Sequence, residues 1–396
     1  MNISTEILIV GAGMAGVAAA IGAARAGRKV LLIENHLFPG GAATGAEVGT
    51  ICGLFQNGKT ENSAFLVDGF AKEFAEKLMH RFQLRSEQNH MGLHYLPYKV
   101  DELKLFLEEE LASNGVLCMF DTEFLKVKHV DGILQSALVF CNNQEVEIDF
   151  QALVDCSGKA VVASKLNHPM VETAYFQATS ISFYVVDSLM DGTELMNFKL
   201  IRALKLAQSS GVIDDGNIQL FVIPGSYIDG KIGFKLTLPW EFNPAKDSIE
   251  LHTQKAKDYV TNYFQTLQEN IAIFQESKLE SIADDLGWRT ANRPVGKYIL
   301  TEEDVVSGRK FTDACAKSAW PIEEWIPNQA VQLQFIQGGD YYEIPEACLQ
   351  SPIYDNFFFA GRIISATDRA IASARVMGTC LQTGFSSGIL ASKFYD

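Results

Sequence analysis

The residues whose types and spacing point to chemistry stand at the start of the chain. Gly11-Ala12-Gly13-Met14-Ala15-Gly16 has the spacing G-x-G-x-x-G, and Glu34 lies eighteen residues past the last of these glycines. Gly11 permits a tight turn off a strand. Gly13 lets backbone approach a pyrophosphate with no side chain in the way. Gly16 lets the helix that follows pack close on the strand. The positive end of that helix then faces the phosphates, and Glu34, with Asn35 beside it, accepts hydrogen bonds from a ribose hydroxyl. An acid at this position argues against a 2′-phosphate. The fingerprint does not say which dinucleotide binds.

Other reactive groups carry weaker signals. Arg289 and Arg293 have the chemistry to clamp a substrate carboxylate through bidentate contacts, or to form ion pairs within the chain. Cys52, in VGTICGLF, has no C-x-x-x-x-C partner, so disulfide-reductase chemistry is not expected and a small buried residue is the simpler reading. His90 and His94 stand four apart, a metal-binding spacing on a helix, but Met91-Gly92 between them opposes a helix, and no metal is expected. Thr301 and Asp304 have capping-box spacing and read as a helix start.

The elements that must position these groups follow from hydrophobic periodicity. Residues 5–10 form a short apolar run ending in glycine, as a buried parallel strand does. A helix of small residues runs from Met14 to Arg25, with Gly27 as its stop. Residues 29–34 make a second strand, which opens a βαβ unit. Helices are expected over 62–82 and 99–113, and a strand over 116–120. A β-meander with turns at Asp131-Gly132 and Asn142-Asn143 comes next, and then an apolar strand ending at Gly158. Strands at 179–186, 218–223 and 231–238, with a helix at 246–270, suit a second domain. Residues 357–360 return to a buried strand, followed by a long C-terminal helix. The expected fold is α/β: a Rossmann-like dinucleotide-binding domain with an inserted β-meander, formed by 1–165 and 352–396, and a mixed α+β substrate domain over 166–351.

Composition bounds the partners. A net charge of −15 repels phosphate backbones, so nucleic acid is not an expected partner. No apolar run reaches the length of a membrane span. The seven scattered cysteines read as reduced thiols, and the N-terminus, which enters a strand at once, as having no signal peptide; both place the protein in the cytoplasm.

Three further stretches resemble known flavoproteins. Phe38-Pro39-Gly40-Gly41-Ala42-Ala43-Thr44 is similar to the loop that carries the ribityl-phosphate arm of FAD in glutathione-reductase-like proteins. Asp155-Cys156-Ser157-Gly158 resembles a strand end of that fold. Residues 360–388, AGRIISATDRAIASARVMGTCLQTGFSSG, closely resemble the closing segment of a broad FAD-dependent oxidoreductase family, and 286–311 and 341–345 are similar to it too. There are departures. Asp368 and Arg369 replace a usual His-Glu pair, Arg289-Thr290-Ala291-Asn292-Arg293 replaces R-E-S-R-R, and Gly378 replaces a proline.

The resemblance implies FAD as cofactor. It places Gly11, Gly13, Met14, Ala15, Gly16, Glu34, Asn35, Gly40, Gly41, Ala42, Ala43, Thr44, Phe124, Ser157, Gly158, Gly361, Arg362, Met377, Gly378 and Thr379 around it, with the flavin ring at the start of the last helix. Asp368 becomes the acid–base candidate, alternatively a helix cap or a partner for Arg369 or Arg375, with Arg289 and Arg293 as its catalytic companions. The implied function is hydride transfer between a small organic substrate and flavin N5. No second G-x-G-x-x-G follows residue 165, so no built-in NAD(P)H domain is expected. Electrons then pass to or from an external partner: oxygen, a quinone or a carrier protein. The alternatives are a flavin-dependent monooxygenase, or a protein in which FAD is structural. The missing G-D pair at Gly361-Arg362 weighs against the first, and the acidic charge against an RNA-modifying form of the second.

Overall fold

A computed structural model describes residues 2–58, 63–189, 194–211, 219–228, 230–243 and 247–394. Its centre is a five-stranded parallel sheet in the order Phe357–Phe359, Ala152–Asp155, Ile7–Val10, Val30–Ile33, Leu117–Met119. Strands buried on both faces need apolar side chains on both, and these have them. Ile7, Ile9, Val30, Leu32 and Val154 face one core, while Leu8, Val10, Leu31, Ile33 and Leu153 face another.

The first face packs on two helices, Met14–Arg25 and Met377–Lys393. Alanine at 15, 18, 19, 20 and 23 favours the first helix intrinsically and keeps its surface flat. Gly27, at φ +84°, follows its end. The second helix fits against that surface through small residues: a Cβ at Gly388 would lie 2.9 Å from the carbonyl carbon of Ala19. The second face packs on an antiparallel sheet formed by Thr122–Val130, Ile133–Cys141 and Gln144–Asp149, with Asn2–Ser4 added in parallel. Both turns of that ladder have positive φ at their two central residues, Asp131-Gly132 and Asn142-Asn143, as tight hairpins demand.

A further four-stranded sheet, Leu220–Val222, Ile232–Thr237, Ser180–Val186 and Lys278–Ile282, has a core of its own. Ile232, Phe234 and Leu236 face the Ile249–Asn270 helix. Alternation along the strand turns Lys235 to the opposite face, where its Nζ donates to the Val48 carbonyl at 3.0 Å. Ser182, its neighbour in register, donates to the Ala46 carbonyl on the same side. The loop after the Gly40-Gly41 turn is thereby tied to this sheet.

Several expected boundaries shift. The helix expected from 62 begins at Gly69, because Asp68 is extended as its N-cap and 63–68 lie outside the helix. Residues 62, 218 and 246, expected starts of a helix, a strand and a helix, lie outside the described residues. The C-terminal helix is two helices, Asp368–Ala374 and Met377–Lys393, because extended Val376 breaks the run and caps the second. The Thr301–Asp304 capping box is present, with both reciprocal bonds.

Candidate active site

A cavity of about 740 Å³ runs from the first glycine turn to the polar face of the four-stranded sheet. Its near end is built by backbone. Gly11 has φ +99°, and a Cβ there would meet the Cys156 carbonyl oxygen at 2.6 Å. A Cβ on Gly13 would meet nothing within 4 Å, so the backbone here looks straight onto open space. Gly16 does not line the cavity. It lies where a Cβ would collide with the Gly11 carbonyl, which is what lets the helix start so close to the strand.

Two helices begin at this cavity: the first through Gly13, Met14 and Ala15, the last through Val376 and Met377. The first amides of any helix lack intrahelical acceptors. Neither helix has a side-chain cap, and neither carries an acid in its first turn. Two positive helix ends therefore open on one space, neither capped by a side chain of its own first turn.

Glu34 is buried at the near end. Its Oε2 accepts from the Ala12 amide at 2.6 Å and its Oε1 from the His36 amide at 2.9 Å. The His36 ring pairs with Asp285 at 3.1 Å. That hydrogen bond raises the imidazolium above its ordinary range. Burial pushes Asp285 up, but the bond and charge of His36 outweigh it and leave the carboxyl lowered. Both residues line the cavity.

The far end has a different character. Lys235, Arg289 and Arg375 line it with a single nearby acid, Glu323, and with Cys52, Trp320, Trp325 and Phe221. Burial, then the charge of Arg289, brings the Lys235 ammonium down to about 8. Arg289 stacks on Trp325 at 4.2 Å and donates to the Ala178 carbonyl. Burial and the nearby Arg375 lower its guanidinium, which still keeps its charge at neutral pH. Arg375 reaches Glu323 only at 3.4 Å, and its buried Nε has no partner. Burial pushes the Cys52 thiol up to about 12, so it is not a thiolate nucleophile.

The sequence matches the model of the FAD dependent oxidoreductase family over residues 6–395. The chain belongs to that family. Its cofactor is FAD, and the residues present suit it: a bare backbone cradle at Gly13, an acid at Glu34 and two uncapped helix ends along one cavity. The family implies a small-molecule substrate and an electron acceptor or donor such as oxygen.

Among solved structures, the chain is similar to a geranylgeranyl bacteriochlorophyll reductase-like protein from Thermoplasma acidophilum, at 13% identity and TM-score 0.47, over 99% of this chain and 78% of that one. It is similar to a flavoprotein/dehydrogenase from Cytophaga hutchinsonii, at 12% identity and TM-score 0.49, over 99% and 78%. It is also similar to a flavin-dependent brominase, at 12% identity and TM-score 0.49, over 98% and 79%. No curated protein matches. No helix among the described residues is long and apolar enough to cross a membrane.

Most residues singled out from the sequence of this FAD dependent oxidoreductase line the cavity: Gly11, Gly13, Met14, Ala15, Glu34, Asn35, Gly40, Gly41, Ala42, Ala43, Phe124, Ser157, Gly158, Arg289, Gly361, Arg362 and Met377. Arg362 does so while donating to the carbonyls of Gly158 and Trp288. Thr44, Gly378 and Thr379 join Gly16 outside the lining. Thr44 turns its hydroxyl to the Pro39 carbonyl at 2.7 Å, and Gly378 is pressed on Gly53, whose carbonyl oxygen would be 2.6 Å from an added Cβ.

Two of the catalytic candidates lie apart from the rest. Asp368 and Arg293 do not line the cavity. They form an ion pair with each other, Arg293 fully buried. Arg293 also donates to the Ala366 and Ala291 carbonyls, and Asp368 accepts from the Ala174 amide. They hold the segments around Ala174 and Ala291 to the start of the short Asp368–Ala374 helix. The partner of Asp368 is thus Arg293 rather than Arg369 or Arg375, because a fully buried guanidinium must be neutralised.

Lys235, Arg375, Glu323 and the His36–Asp285 pair were missed. The signal for Lys235 was present: a lone lysine on the second face of an otherwise apolar strand. Arg375 lies inside the conspicuous C-terminal motif. Its partner Glu323 lies fifty-two residues away in sequence, and no local pattern connects them. Among the described residues no group of three His, Cys, Asp or Glu could hold a metal ion.

Proposed function

We propose that this protein transfers a hydride between a small organic substrate and FAD, with the substrate at the cationic far end of the cavity. The reading rests on one observation: a single continuous cavity joins the dinucleotide cradle at Gly13 to a chamber walled by Lys235, Arg289, Arg375 and aromatic rings. FAD supplies the two-electron acceptor or donor. We place it in a glutathione-reductase-like arrangement, in a discontinuous domain of 1–165 and 352–396, with 166–351 forming the substrate domain. The backbone amides of Met14 and Ala15 suit the diphosphate, Glu34 the ribose, and the start of the Met377–Lys393 helix the flavin ring.

Oxidation of a C–H together with an O–H or N–H releases a hydride and a proton. Lys235 Nζ is the group placed to take that proton in its neutral amine form, which, with the ammonium at about 8, is the minor form near neutral pH and grows as pH rises. Arg289 and Arg375 orient the substrate. Cys52 and Trp320 help close the chamber to water. Seven free cysteines support a reducing compartment, and the cytoplasm is the proposed location.

The test is an anaerobic titration of the yellow holoprotein. Dithionite should bleach it, and oxygen or a benzoquinone should restore the colour. NADH and NADPH should leave it oxidised, since the chain offers one dinucleotide fingerprint. Rapid bleaching by NADPH would instead favour the monooxygenase reading. A flavin that dithionite reduces but neither oxygen nor quinone reoxidises would favour a structural role.

A further inference from the structure

We infer that the substrate is an unsaturated or aromatic carboxylate, held by its carboxyl group between Arg289 and Arg375. The inference rests on the proposed substrate chamber and names what fills it.

The charged groups of the cavity gather at its two ends, with Arg362 between them acting on Lys159 at one end and Arg375 at the other. His36, Asp285, Glu34 and Lys159 act on one another at the dinucleotide end. Lys235, Arg289, Arg375 and Glu323 act on one another at the far end. The second set holds three cations and one acid, an excess of two positive charges, in a chain whose net charge is −15. Like charges gathered away from water repel and cost stability. A fold keeps such a cluster where an anion is to be bound.

Hydrogen-bonding capacity points the same way. Arg375 has a buried Nε with no acceptor, and its contact with Glu323 is long, at 3.4 Å. Arg289 uses one guanidinium nitrogen on the Ala178 carbonyl and leaves the rest of its fork toward the cavity. Glu323 is shared, since Trp320 Nε1 also donates to it at 3.3 Å. The acid present thus falls short of satisfying the donors, and a carboxylate, which accepts bidentately from a guanidinium, matches what is missing.

The walls specify the remainder of the ligand. Trp325 lies flat under Arg289 at 4.2 Å and edge-on to Phe221 at 5.9 Å. Indole and phenyl faces favour a flat π-system over a branched aliphatic chain. Phosphate esters fit less well, because the space beyond the cations is aromatic.

The experiment uses holoprotein and two probes of equal shape, benzoate and neutral benzamide. Benzoate should perturb the visible flavin spectrum saturably, and benzamide should bind at least about tenfold more weakly, the cost of leaving the cations unanswered. Arg289→Gln and Arg375→Gln should each weaken benzoate by about 10- to 100-fold, as expected for loss of a charged hydrogen bond, with FAD content unchanged. Equal binding of the two probes to the wild-type protein, or no benzoate binding, overturns the inference. Loss of FAD from the folded arginine variants would also overturn it, since the cations would then serve the cofactor. Calorimetry of benzoate on FAD-stripped protein separates the two readings: retained binding there supports the clamp even if the redox assignment falls.

Discussion

Asp368→Asn tests whether the ion pair behind the active site is structural. Arg293 is fully buried and the Asp368 side chain is 11% exposed. Removing one member of a buried pair leaves an uncompensated charge and costs about 3–5 kcal/mol. Here Arg293 keeps the carbonyls of Ala366 and Ala291, each at 2.8 Å, and the Thr173 hydroxyl at 3.3 Å. Those acceptors soften the loss, so the lower end, about 3 kcal/mol, is expected. The Asn variant also sets an NH₂ group against donors if it is to keep the Ala174 amide satisfied. The assay is urea denaturation at fixed excess FAD, followed by far-ultraviolet dichroism. A double-mutant cycle built from Arg293→Met, Asp368→Leu and their combination separates the pair from its surroundings. The doubly substituted Arg293→Met, Asp368→Leu protein should recover most of the loss, because an apolar pair of similar volume leaves no stranded charge. FAD stoichiometry should not change in any of these variants, since neither residue lines the cavity. An Asp368→Asn cost below about 1 kcal/mol, or strictly additive single and double changes, would refute the structural role.

Gly13→Val should place a side chain in the open space before the first helix and lower bound FAD to below about a tenth of wild type, read by absorbance at matched protein. Full occupancy would show that the diphosphate lies elsewhere. Lys235→Met should stabilise the FAD-stripped fold near neutral pH by about 2 kcal/mol, because the ammonium is depressed from 10.5 to about 8 and the fold bears that cost. The gain should shrink as pH rises from 8 toward 10.5, where the unfolded chain also sheds the proton; a gain that grows over that range contradicts the burial argument. Asp285→Asn should cost less than about 1 kcal/mol, as suits a half-exposed pair. That cost is present while His36 is charged, with pH below 6.5 and above 3.8, and is lost as pH rises through the elevated imidazolium range. Denaturation at about pH 5.5 and about pH 8.5 checks the sign.

How far the sequence could be read depended on whether the information was local. The first helix was legible to the residue, since its glycine start, alanine run and Gly27 stop all lie within seventeen positions, Gly11 to Gly27. The hairpin turns were equally legible, because positive φ at Asp131-Gly132 and Asn142-Asn143 is a property of those residues themselves. The proposed cofactor end followed from the same kind of signal, since glycine marks where backbone is bare. The far end is made by side chains from separate segments: Cys52, Lys235, Arg289, Glu323 and Arg375. No periodicity links them, and single-residue chemistry does not tell Arg293, outside the cavity lining, from Arg289, which is in it.

What separates those two arginines is four positions of extended chain. Arg293 reaches the Ala366 carbonyl and Asp368, and is fully satisfied by its own fold. Arg289 finds a tryptophan face and one carbonyl, and is left facing the cavity. The excess of unmatched donors, rather than the mere presence of charge, is therefore what separates the arginine proposed to bind substrate from the one held within the fold. By the same criterion Arg375, with its unpartnered Nε, belongs with Arg289. Asp368 belongs to the scaffold that keeps Arg375, seven residues further on and at the end of the same short helix, at the cavity wall.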